Sequence, residues 1–328
     1  MLIGQGSGRN GDHYLFRPAG VPAAASMFVD FVAQRAWRGL VAPVEFDDMF
    51  SCTRSTIAYA QRSDGIWEEF AIDEPRLTDL GLLVEPARSG NLLWSMDLSV
   101  AASWPAEGLT RSVGEGQPIS GQTPTRFTWT TGNGRFAQSF VATAPTPYVM
   151  QAIVRGTAAA RYAYFRSMLM DVGVGYNNAV FDLTAGVVGY LAPSYTSSRM
   201  TSLGDGWWLI EAEGVSSVAA NRNNYLSVVN VPVTGNGFFS PTAGMDYFDV
   251  AYFNILTGAG RGTPVRSGAT VTTRAADVVA FPLPAGTHDQ TFTFRDGGTQ
   301  VATGQSGTPS MPAQTQPRTL RSMTAVAA

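Results

Sequence analysis

Trp207-Trp-Leu-Ile-Glu-Ala-Glu213 is the segment of this chain best equipped to meet a ligand. Side chains alternate across an extended strand. Trp208, Ile210 and Ala212 therefore form an inward set, while Trp207, Leu209, Glu211 and Glu213 point the other way. A tryptophan beside carboxylates suits a sugar: the ring packs on C–H groups and the carboxylates accept hydrogen bonds from hydroxyls. Phe248–Leu256 repeats the pattern, with Ala251, Phe253 and Ile255 inward and Val250, Tyr252 and Asn254 outward. The candidate carbohydrate contacts are thus Trp207, Glu211, Tyr252 and Asn254. Tyr162-Ala-Tyr-Phe-Arg adds Tyr162, Tyr164 and Arg166 on one face of another strand. The competing reading is structural: Trp207 sits under a loop or in a subunit contact, and the aromatic strands are core.

Catalysis has little to draw on. Glycoside cleavage needs two carboxyls held across one bond. The neighbouring pairs Asp47-Asp48, Glu68-Glu69 and Asp73-Glu74 point to opposite faces if extended. Glu211 and Glu213 share a face, roughly 6–7 Å apart by strand rise, yet surface solvation explains them as well. A Ser-His-Asp triad would have to use His13 or His288, each set among glycines or prolines. No catalytic residue is therefore assigned. With one cysteine, Cys52, and two distant histidines, neither an intrachain disulfide nor a usual zinc set can be assembled, and no metal or cofactor is expected. Gly4-Gln-Gly-Ser-Gly-Arg lacks the preceding strand and the lysine of a phosphate-binding loop and reads as an arm.

The elements that must position these residues are strands. With 35 glycines and 19 prolines in short clusters, the 328-residue chain has the turn density of an all-β protein and enough length for a large core. Charged residues are only 14%, which fits extensive burial between subunits, and a net charge of −3 gives no attraction to nucleic acid. All the basic residues are arginine; a GC-rich genome is the default explanation, and guanidinium forks that grip anionic sugars are the functional alternative. The start carries no basic-then-apolar secretory signal, and no stretch has the length to span a bilayer.

Residues 1–25 read as an extended arm, and Met27–Trp37 as a short helix or, equally, a strand. Ser63-Asp-Gly makes a hairpin turn between Cys52–Ala60 and Ile66–Ile72. Ten short strands are expected between 91 and 284: 125–130, 135–141, 148–155, 162–170, 179–183, 187–191, 207–213, 225–231, 248–256 and 271–274. Without a credible long helix they fit a two-sheet antiparallel jelly-roll sandwich. Asp296-Gly-Gly turns a last hairpin in the tail. The expected divisions are 1–90 (attachment arm and β-hairpin region), 91–284 (sandwich) and 285–328 (C-terminal hairpin and tail).

Six strings occur in a familiar order: Ser63-Asp-Gly, Asp73-Glu-Pro-Arg, Val84-Glu-Pro-Ala-Arg-Ser-Gly-Asn-Leu-Leu, Gly204-Asp-Gly-Trp-Trp, Ala275-Ala-Asp-Val-Val and Pro317-Arg-Thr-Leu-Arg-Ser-Met. Over residues 45–325 the chain resembles the head-spike and tail-fibre proteins of phages and gene transfer agents, with departures at Pro86 and Gly90. The resemblance implies a concanavalin-like or jelly-roll carbohydrate-binding module on a virion. It implies copies of itself, capsid or tail proteins, and host capsular polysaccharide or lipopolysaccharide as partners. A purely architectural base carrying a separate fibre and a polysaccharide depolymerase are the alternatives.

Overall fold

The computed structural model describes residues 20–39, 45–131, 134–167, 177–232 and 246–328; the expected arm at 1–19, with His13, lies outside them. Among the described residues the fold is all-β, with one 3-10 turn at Phe46–Met49 and no helix long and apolar enough to cross a membrane. Two antiparallel sheets form the sandwich. One orders Leu109–Val113, Thr125–Trp129, Tyr247–Thr257, Thr146–Arg155, Trp207–Ser216 and Tyr195–Gly204, with Arg88–Gly90 pairing the Tyr247–Thr257 strand at Leu256 and Thr272–Arg274 pairing Arg88–Gly90. The other orders Val187–Leu191, Asn177–Asp182, Tyr162–Ser167, Asn221–Val229, Arg135–Val141 and Ala106–Glu107.

Between them lies a core led by aromatic rings, including Trp104, Phe127, Phe136, Phe165, Phe181 and Phe253. Phe127 stacks on Phe136 at 4.3 Å, and Phe165 on Phe253 at 5.8 Å. Trp208, Ile210 and Ala212 face this core as strand alternation requires. In the 247–257 strand the alternation slips. Ile153 pairs with Tyr252 but Val154 pairs with Val250, so Ala251 is an extra residue. Such a bulge reverses the faces beyond it. Val250 therefore packs in the core, and Ala251 joins Tyr252 outside it, the reverse of what alternation alone predicts.

The two ends of the chain share a third sheet. Ala25–Asp30 pairs with Arg318–Ala327, which also pairs with His288–Phe294 and Gly81–Val84. Met27, Val29, Leu82, Phe292, Phe294 and Met323 fill its core. Strands from the expected N-terminal region and from the C-terminal tail thus share one sheet, while Ala58–Gln61, Trp67–Phe70 and Arg88–Gly90 of the same region lie with the sandwich. The Met27–Trp37 segment is a hairpin, not a helix: Ala25–Asp30 returns as Arg35–Arg38. Asp30 closes its turn by accepting from the Val32 and Ala33 amides. Its phenylalanines and valines fit the pleat, and the 318–327 strand supplies the partner they need.

Where this body meets the sandwich, three arginines and two carboxylates are sealed from water: Arg54, Arg76, Arg274, Glu85 and Asp277. Asp277 accepts from Arg54 Nη1 at 2.9 Å, from Arg76 and from the Glu85 amide at 2.8 Å. Glu85 pairs with Arg76 and, at 2.9 Å, with Arg274, and takes the Thr263 amide and hydroxyl. Three of the recognisable sequence strings therefore converge here, as Arg76, Glu85 and Asp277.

Burial alone would push the Glu85 carboxyl up, but Arg274 and Arg76 outweigh it and hold it at about 2, below its ordinary 4.5. Because the folded value is depressed, this group's stabilisation is complete above pH 4.5 and is lost as pH falls toward about 2. Urea midpoints should be level above about pH 5 and drop steeply below about pH 4. A Glu85→Gln variant should start lower at neutral pH and lose less across the same interval. An equally steep acid loss in that variant would assign the effect elsewhere.

Candidate carbohydrate face

A sandwich has two outer faces, and the four residues Trp207, Glu211, Tyr252 and Asn254 all lie on that of the eight-stranded sheet. That face is not open. The hairpin of Ala58–Gln61 and Trp67–Phe70 turns at Gly65, where φ is +90° and an added Cβ would come 2.3 Å from the Leu203 carbonyl oxygen. Its Tyr59 and Trp67 pack with Met96, Ile119, Leu203 and Leu209 around Trp207, which is 3% exposed. Tyr252 and Asn254 are fully buried. The Tyr252 hydroxyl accepts from the Val265 amide at 3.2 Å. Asn254 Nδ2 donates to the Val265 carbonyl at 2.9 Å, while its Oδ1 accepts from the Leu92 amide at 3.0 Å. Glu211 takes Gln151 Nε2 at 2.8 Å and Arg199 Nε at 2.7 Å. The expectation of an open ligand face at these four residues is corrected: Tyr252 and Asn254 hold the segment at Val265 down, Glu211 is spent on its sheet neighbours Gln151 and Arg199, and Trp207 packs under the hairpin with its Nε1 unpaired among the described residues.

Glu213 and the pairs Glu68-Glu69 and Asp73-Glu74 are also engaged. Glu213 accepts from the Gly260 amide at 3.0 Å, and Glu69 faces the Tyr59 hydroxyl and Arg266. Glu68 faces Arg62 at 3.5 Å, Asp73 takes the Arg54 amide at 2.8 Å, and Glu74 takes that of Ala71 at 2.6 Å. Among the described residues no group of three or more His, Cys, Asp or Glu is placed to hold a metal ion.

The outer face of the six-stranded sheet is buried along its middle, at Asn178, Arg166, Val180, Tyr164, Ser227 and Val229, and partly exposed around it. Ala163, Phe165, Phe181, Leu226 and Val228 turn into the core, so their neighbours turn out. One row across four strands reads Asn178, Arg166, Tyr225, Ala137; the next reads Tyr190, Val180, Tyr164, Ser227; a third reads Asp182, Tyr162, Val229. Tyr162, Tyr164 and Arg166 do share one face, as their spacing predicts. Burial pushes the Tyr164 phenol up. Tyr162, Tyr190, Tyr225 and the adjoining Trp129 are partly exposed. Trp129 is fixed by its Nε1 donating to the Val228 carbonyl at 3.1 Å.

Cations back these rings. The Arg135 guanidinium stands 5.3 Å from the Tyr225 ring centre and pairs with Glu107 at 2.5 Å. Arg161 lies 5.0 Å from the Tyr162 ring centre and donates to Asp182 at 2.8 Å. At one end of the sheet, Glu107, Arg135, Ser139, Asn223 and Tyr225 line a shallow hollow of about 320 Å³. Rings with rim donors and acceptors on a broad sheet can lie along a sugar chain and meet its hydroxyls. Arg135, Asn223 and Tyr225 are not evident as a site in the sequence, because Asn221-Arg-Asn-Asn looks like a turn. The strand starts at Asn221, four residues before the apolar run that signals it.

No family model and no curated protein matches the chain. Among solved structures, it is similar to TmCBM61 in complex with β-1,4-galactotriose, at 14% identity and a TM-score of 0.32, over 50% of this chain and 97% of that one. It is similar to the CBM22-1 xylan-binding domain of Xyn10C from Paenibacillus barcinonensis, at 14% identity and TM-score 0.31, over 48% and 87%. The CBM22-1–CBM22-2 tandem of the same protein gives 12% identity and TM-score 0.34, over 74% and 92%. Likeness at this level says nothing of what this chain binds.

Proposed function

We propose that this protein is a non-enzymatic, polysaccharide-binding component of a phage-like particle, and that it meets host capsule or lipopolysaccharide with the outer face of its six-stranded sheet. One observation carries the reading. Of the sandwich's two outer faces, one is sealed by the chain's own hairpin and loops, while the other, buried along its middle at Asn178, Val180, Tyr164, Ser227 and Val229, presents partly exposed Tyr162, Tyr190, Tyr225 and Trp129 around that middle, beside Arg135 and Asn223. The ordered strings shared with phage and gene-transfer-agent spikes and fibres support the particle setting. The engagement of Glu68, Glu69, Asp73, Glu74, Glu211 and Glu213 in internal hydrogen bonds or ion pairs supports binding without cleavage. Single sugar contacts are weak, so adhesion calls for several copies per particle.

A capsule and lipopolysaccharide array, followed by affinity electrophoresis on the best glycan, tests this. Tyr225→Ala should weaken retention by about tenfold, the loss of one ring–sugar contact. No glycan signal from the wild-type chain would favour an architectural base instead. New reducing ends or unsaturated uronates after incubation with the polymer would favour a depolymerase.

A further inference from the structure

Beside the edge strand Leu109–Val113 of the eight-stranded sheet lies a hollow of about 700 Å³ that the proposed glycan face does not include. Its size is that of small-ligand sites. Trp94 forms part of its wall with φ at +51°, a conformation in which a bulky residue is an outlier. Three hydrogen bonds keep it there: its amide donates to the Gly268 carbonyl at 3.0 Å, and its carbonyl accepts Trp104 Nε1 at 3.1 Å and the Asp97 amide at 3.0 Å.

Charge in this wall is unbalanced. Arg111 is half-buried, donates from Nε to the Leu98 carbonyl at 3.2 Å and from Nη2 to that of Trp104, and has no carboxylate partner among the described residues. Burial lowers its pKa with no counter-charge acting against that. A half-buried cation of this kind favours an anionic partner. Arg266, on the same wall, meets the exposed Glu69 at 3.2 Å and the Tyr59 hydroxyl. Asp97 is the one carboxylate lining the hollow, and its Oδ1 is taken by Ser99.

We propose that this hollow is a binding site for an acidic sugar, a uronic acid residue. Its carboxylate lies against Arg111 Nη1 and Arg266, a hydroxyl donates to Asp97, and its C–H face packs on Trp94. The site stands apart from the six-stranded face and does not depend on it.

Titration calorimetry of the full chain with sodium glucuronate, and in parallel with glucose and inorganic phosphate, tests it. Glucuronate should bind at least about tenfold more tightly than either of the other two. Arg266→Ala, which gives up the ion pair with exposed Glu69 and a hydrogen bond to the Tyr59 hydroxyl, should weaken glucuronate by about tenfold or more. Tyr225→Ala should leave it unchanged. The proposal is overturned if wild type fails to bind glucuronate, if phosphate or glucose binds as well, or if Arg266→Ala binds undiminished. Loss of glucuronate binding in Tyr225→Ala would overturn it too, by moving the sugar to the other sheet.

Discussion

Asp277→Asn is expected to lower the unfolding free energy by about 3–5 kcal/mol, the range for removing one partner from a buried ion pair. The substitution keeps shape and volume but removes the charge. Asp277 then no longer balances Arg54 and Arg76, and Glu85 is left alone against three buried guanidiniums. The amide must also turn its Nδ2 toward Arg54, Arg76 or the Glu85 amide, all of which are donors. Desolvation, not the lost attraction, dominates the effect: a guanidinium held at 0% exposure cannot recruit water in place of its partner. The measurement is the midpoint of urea unfolding at unchanged slope. Arg35→Ala, which removes a pair whose arginine is 49% exposed, is the control and should change stability by less than about 1 kcal/mol. Equal effects from the two substitutions would mean that the network is not a joint.

That joint also explains which sequence strings are recognisable. Asp73-Glu-Pro-Arg76, Val84-Glu85 and Ala275-Ala-Asp277 look like surface loops when read singly, because charged residues beside proline and alanine usually are. Their meaning is three-dimensional: three distant segments each supply a charge that only the other two can neutralise. Alternation, by contrast, is local, and it places Trp207, Leu209 and Glu211 opposite Ile210 and Ala212 without help from tertiary structure. It fails at Ala251, where one extra residue reverses the faces, and a bulge has no signature in Phe248-Asp-Val-Ala-Tyr-Phe. It also cannot say what covers a face. The hairpin over Trp207 comes from residues 58–70, some 140 residues upstream, and its docking depends on a close approach between Gly65 and Leu203. Polar residues at the start of a strand are equally opaque. Asn221 and Asn223 read as turn formers until pairing with the 135–141 strand holds them extended.

Trp207→Ala separates the two outer faces in one experiment. If this ring were a glycan platform, its removal would abolish binding and leave stability almost untouched. In the structure the ring is packed among Tyr59, Trp67, Leu203 and Leu209, with the Arg155 guanidinium 5.1 Å from its centre. Truncation to alanine should therefore cost about 3–5 kcal/mol, the range for emptying an aromatic site in a core. The surroundings have little freedom to collapse into the space. Gly116 abuts the indole so closely that a Cβ there would lie 2.9 Å from Nε1, and the hairpin on the other side is pinned at Gly65. Under conditions where the variant remains folded, its retention on polysaccharide should equal that of wild type. Tyr225→Ala should behave in the opposite sense, with a small change in the urea midpoint and a large one in retention. The two readouts exchange places because the sheets do: the eight-stranded sheet spends its outer aromatics on the chain's own hairpin, and the six-stranded sheet keeps several of its own partly open to solvent. Loss of binding in folded Trp207→Ala at wild-type stability would return the site to the covered face and require the hairpin to lift.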